Sequence, residues 1–201
     1  MAKSSTMRAN LARLESEGWS IEYGGHVPGM YTSPNERKIF IQQTPDNPSR
    51  TPSLRRNYET SLLAHEVHHA MEASNRARNG GPNESRPYPG QGEQDFIKKF
   101  VEAKLHEEAG ALVNQIKIRN EIVATDRTKD IGLPIDNGAE YTRLYDKYGA
   151  TDMGTVLSRV SRLNAKIRPS VGNHSNYEDY YRAEAKRTWD YYANYRPPGQ
   201  H

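Results

Sequence analysis

Residues 62–73 read LLAHEVHHAMEA, placing His65, Glu66, His68 and His69 in five consecutive positions interrupted only by Val67. Leu62, Leu63, Val67, Ala70 and Met71 around them are apolar, and the run from about Leu54 to Arg78 is free of glycine and proline, so it reads as helix. His65-Glu66-Val67-His68-His69 satisfies the H-E-x-x-H spacing. Two histidines four apart stand one turn apart on the same helix face, and such a pair can converge on one zinc ion at about 2.0–2.1 Å. The adjacent glutamate then lies beside an open coordination position, where it can take a proton from water.

The third histidine of the cluster is assigned by angle. At about 100° per residue, His69 lies about 40° from His65, and Glu66 about 100° from it in the same sense. His68 falls about 60° to the other side, away from the only nearby base. His65 and His69 are therefore the expected metal ligands, Glu66 the expected general base, and His68 the spare.

A hydrolytic zinc takes a third protein ligand. Glycine three residues past His69 and histidine six past would extend the motif, but Glu72 and Asn75 stand there. The ligand is expected downstream, on the long helical pattern from Asp95 to about Ala124. Its apolar stripe runs Ile97, Val101, Leu105, Leu112 and Ile116, and Glu108 occupies the missing position. A carboxylate on a core-facing stripe is costly without a cation or metal to pair with. Glu108 is the expected third ligand. Glu107, one residue off the stripe, is the alternative, while Glu102 sits among lysines and Glu121 opens NEIVATD. Ala109, Gly110 and Ala111 beside Glu108 would let this helix approach the histidine helix closely.

Elsewhere the pattern is helical with one β segment near the start. Residues 7–17 carry Met7, Leu11 and Leu14 at helical spacing, and Gly18 ends them. Trp19, Ile21 and Tyr23 then alternate, and Ile39, Phe40 and Ile41 mark a second short strand, predicting a small β-hairpin or meander. Two shorter helices are expected around 139–148 and 153–166, and a tyrosine-rich helix follows from Tyr177. The expected class is α+β, mostly helical, as one domain over residues 1–201.

Composition narrows the function. The 201 residues include 28 Lys+Arg and 25 Asp+Glu, interspersed, with net charge +3 and no cysteine. Mean hydropathy is −0.96. Disulfide and thiolate chemistry are excluded. Nucleic-acid binding is not expected, since no basic stripe gathers on one face. No apolar run is long enough to insert in a membrane, and MAKSSTMRANLARLES lacks the apolar stretch of a signal peptide. The residues fit a cytoplasmic protein, export without a cleaved signal, or a domain of a longer chain.

HEVHH together with EAGA at Glu108–Ala111 resembles the gluzincin branch of zinc metallopeptidases. A narrower likeness is to the C-terminal metallopeptidase toxin domains of bacterial type VI secretion effectors and polymorphic toxins. In those domains a short helix, a GW strand and a Gly-rich hairpin precede the H-E-x-x-H helix, as LARLESEGWSIEYGGHVPGMY, KIFIQQ and LLAHEVHHAMEA do here. The resemblance implies a zincin-like fold and a secreted antibacterial zinc peptidase acting on a protein or peptide, in the periplasm of a target bacterium, with a cognate immunity protein. It also implies a substrate-pairing strand beside the active-site helix, for which ERKIFIQQ (36–43) is the natural candidate. A donor to the developing oxyanion is expected from His174, with Tyr177, Tyr180 and Tyr181 as alternatives. A cell-wall peptide amidase could use the same zinc site. A non-enzymatic binding module with a structural zinc is the remaining alternative.

Overall fold

A computed structural model describes residues 3–24, 30–41, 51–79, 86–133, 138–149, 151–167 and 174–194. Six α-helices and three short strands lie within them: α1 (Ser5–Ser16), β1 (Ser20–Tyr23), β2 (Met30–Ser33), β3 (Lys38–Ile41), α2 (Pro52–Asn79), α3 (Glu93–Thr125), α4 (Gly138–Tyr148), α5 (Met153–Asn164) and α6 (Tyr177–Asn194). The chain is thus mostly helical with a small sheet. Two compact units divide it, one comprising Met1–Gly80 with Gly110–Val156, the other Gly81–Ala109 with Leu157–His201. The division falls inside α3 and α5, each of which is one continuous helix.

In the first unit, local chemistry sets the element ends. Ser4 caps α1, its hydroxyl accepting from the Met7 amide at 3.0 Å. Gly18, at φ +80°, supplies the left-handed turn that stops the helix. Pro52 opens α2 at the position where its missing N–H costs nothing. Met7, Leu14 and Trp19 pack with Ile39 of β3, with Leu63, Ala64, Val67 and Ala70 of α2, and with Ile118 and Ile122 of α3. The expected helical stripe around the histidines is therefore a core face.

The sheet order is β1-β3-β2. β2 and β3 form the hairpin, antiparallel with Thr32 opposite Ile39, while β1 joins the far side of β3 in parallel. A meander would have put β2 in the middle. Instead β3 is central, because its alternate residues Ile39 and Ile41 are the most buried of the sheet. Paired on both sides, β3 has no edge to offer an extended peptide, so the expectation for residues 36–43 fails there; residues 42–43 lie outside the described residues. The edge strand that packs on α2 is β2.

The second unit is built on the first half of α3 and on α6. Phe96, Ile97, Phe100, Val101 and Leu105 form a continuous face that buries Tyr181 and Ala185. Asn176 caps α6, accepting from the Asp179 amide at 2.8 Å. No helix of the described residues is long and apolar enough to cross a membrane.

Candidate metal centre

The histidine pair lies mid-helix in α2, on backbone held by the core residues Leu63, Ala64, Val67 and Ala70. One turn apart, the His65 and His69 rings converge until their Nε2 atoms are 3.1 Å apart. Two nitrogens bound to one tetrahedral zinc at about 2.0–2.1 Å stand about 3.3 Å apart, so this spacing fits the ion. Both residues are half-buried.

Glu108 meets them. His65, His69 and Glu108 each offer one ligand atom, and those atoms lie within 4.8 Å of one another. Among the described residues this is the one such group of three. Two imidazole nitrogens and a carboxylate oxygen are a zinc donor set, and thiolate is not needed. Glu107 instead pairs with Lys104, at 3.5 Å, and Glu102 is exposed.

His68 takes a different direction. A Cβ built on Gly110 would fall 2.3 Å from the His68 Nε2 atom, so the ring occupies the space that the glycine leaves open. The expected close approach of α3 to α2 therefore centres on Gly110, with His68 as its filler. Asn114, one turn further, donates to the Ala64 carbonyl at 2.7 Å. Gln115 donates to Ser61 at 2.7 Å, and Ser61 donates to the Gly132 carbonyl at 2.9 Å.

Glu66 is held from the sheet. The Thr32 hydroxyl lies 2.9 Å from both the backbone carbonyl and Oε2 of Glu66. It can donate to one at a time, and the contact with Oε2 ties the carboxylate to β2. The pairing of Thr32 with Ile39 explains the aim: directly opposed residues share a face, and Ile39 faces the core of α2. Nothing in the local pattern of MYTS marks Thr32, because its role depends on β2 lying beside α2.

Of the expected oxyanion donors, His174 packs edge-on against the Tyr180 ring, with centroids 5.4 Å apart, and is not part of the three-residue group. The Tyr181 hydroxyl donates to Glu108 Oε1 at 2.8 Å. Burial, with the Glu108 carboxylate alongside, pushes this phenol far above its usual value, so it stays a proton donor. Tyr181 is thus hydrogen-bonded to Glu108, the expected third ligand.

An open concavity of about 860 Å³ lies elsewhere, lined by Arg119, Leu133, Gly138, Ala139, Thr142, Arg143, Asp146 and Lys147. None of the metal-centre residues lines it. Arg119 is already engaged there, donating to both oxygens of Asp130.

Comparison with protein-family models, with curated proteins and with solved structures finds no match to this chain.

Proposed function

We propose that this chain is a zinc-dependent metallopeptidase of zincin-like architecture, with His65, His69 and Glu108 as ligands and Glu66 as general base. The observation that carries the reading is the 3.1 Å convergence of two Nε2 atoms in an H-E-x-x-H helix, joined by the Glu108 carboxylate within 4.8 Å. Bound there, zinc supplies Lewis-acid polarisation of the scissile carbonyl and makes water nucleophilic near neutral pH. The protein's own work is positional and acid–base. Thr32 restrains Glu66 at Oε2, so Oε1 takes the proton of the attacking water and returns it to the departing amine. The outer edge of β2, beside α2, is where an extended peptide would add as a further strand.

The narrower resemblance extends this proposal to an antibacterial effector domain acting on a target cell. The test is Glu66→Ala. Because Glu66 is not a ligand, the variant should keep about one zinc per chain while peptide hydrolysis falls about 10²–10⁴-fold. Expressed in the bacterial periplasm, the wild type should arrest growth and Glu66→Ala should be tolerated at equal abundance. Equal toxicity from wild type and a zinc-loaded Glu66→Ala protein, with no peptide hydrolysis by either, would leave a structural zinc in a binding module. Equal hydrolysis would remove Glu66 as the base.

A further inference from the structure

We propose that Tyr181 is a positioning residue of the metal centre, its hydroxyl fixing Glu108 through Oε1 so that Oε2 is the oxygen given to zinc. This rests on the metal reading above and assigns a role to α6, whose tyrosines otherwise read as packing. Three observations support it.

The hydrogen bond, 2.8 Å from phenol oxygen to Oε1, is in the range of a charge-assisted contact. Its donor is immobile: Tyr181 is 6% exposed, stacked on Tyr177 with centroids 5.8 Å apart and met edge-on by Tyr180 at 5.1 Å. It belongs to the apolar cluster of the second unit, together with Phe100 and Leu105.

The acceptor is what needs fixing. A glutamate has three side-chain torsions, and Glu108 lies on a helix face whose other members, Val101, Leu105 and Leu112, are apolar. Those neighbours fill space without orienting a carboxylate. A phenol is suited to the task because it donates one hydrogen bond in a fixed direction and adds no charge that would compete with a cation. Outer partners of this kind orient metal ligands, and losing one lowers metal affinity about 10–100-fold.

Tyr181→Phe keeps the ring and deletes only the hydroxyl. Full-length wild type, Tyr181→Phe, Glu108→Ala and the double variant would be titrated with zinc against a chromophoric chelator. Tyr181→Phe should bind zinc about 10–100-fold more weakly, and should bring no further loss in the Glu108→Ala background. Substitution with cobalt(II) provides a spectroscopic readout, because its visible d–d bands should change in Tyr181→Phe if the carboxylate reorients. Zinc-induced stabilisation, measured from each variant's own metal-free Tm, separates a binding defect from a folding defect. Wild-type zinc affinity and an unchanged cobalt spectrum in Tyr181→Phe would overturn the proposal while leaving the metal centre intact. Absence of zinc binding by the wild type, matched by His65→Ala, would overturn both.

Discussion

Glu108 and Glu121 sit on the same helix, α3, and both are half-buried carboxylates. Their surroundings send them to opposite tasks. Glu121 faces the start of α1, where Ser4 donates at 2.7 Å, Ser5 at 3.2 Å and the Thr6 amide at 2.9 Å to Oε2, and the Thr6 hydroxyl donates to Oε1. Burial alone would raise its carboxyl, but these hydrogen bonds from Thr6, Ser4 and Ser5 outweigh it and hold the group at about 2. Glu108 instead accepts from the Tyr181 phenol, and its carboxylate has an oxygen within 4.8 Å of a ring nitrogen of His65 and of His69. A carboxylate saturated by neutral donors is an anchor. One that takes a phenol hydrogen bond and lies within reach of two imidazole nitrogens suits the ligand role proposed above.

The largest expected difference between them is in metal affinity. Glu108→Ala should weaken zinc binding by at least about 100-fold, more than loss of an outer partner does. Glu121→Ala should leave it within about twofold. Stability should show the reverse order, with Glu121→Gln losing about 1–2 kcal/mol once solvent screening of a half-buried group is allowed for. The sign with pH follows from the depressed value. Because the folded carboxyl titrates at about 2 against 4.5 unfolded, its contribution is complete above pH 4.5 and is lost as pH falls toward 2. Urea melts of wild type and Glu121→Gln should therefore differ at pH 7 and converge near pH 2. If Glu121→Gln instead lost zinc, the two carboxylates would not have separate roles.

A second contrast lies within the histidine cluster. His65 and His69 converge on each other, whereas His68 fills the gap over Gly110. Gly110→Ala should overpack this contact and cost about 1–3 kcal/mol, or about 2–12 °C in Tm for a chain of this size. His68→Ala should keep zinc, and combined with Gly110→Ala it should recover part of the lost Tm. A His68→Ala protein without metal would reverse the assignment of ligand and spare.

Much of this was readable before any coordinates. The α2 and α3 patterns, the angular separation of His68 and the interrupted stripe at Glu108 are local properties, carried by 3.6-residue periodicity. What escaped depends on pairing between distant segments. Trp19, Ile21 and Tyr23 alternate through the start of β1 as an inward face should, yet only Trp19, just before the strand, is buried, while Ile21 and Tyr23 are exposed. The central place of β3 follows from which strand buries best, which no single strand reveals. Tyr181 is one of 13 tyrosines, and only the fold puts its hydroxyl on Glu108. Thr32 was invisible for the same reason.

Thr32 gives the smallest expected effect and the finest test. Its hydroxyl is the contact by which β2 restrains Glu66, in the way that Tyr181 restrains Glu108. Thr32→Val keeps the β-branched shape suited to the strand and removes only the donor. One hydrogen bond is worth about 1 kcal/mol, so kcat should fall about fivefold, with zinc content unchanged because Glu66 is not among the proposed ligands. Thr32→Ser should restore most of the rate, since the hydroxyl returns without the methyl. Equal loss in Val and Ser variants would mean that Thr32 acts by filling space. Loss of zinc in Thr32→Val would mean that β2 supports the histidines rather than the base. A Val-specific loss of rate at full zinc occupancy would place Thr32 with Glu66, on the catalytic side of the comparison.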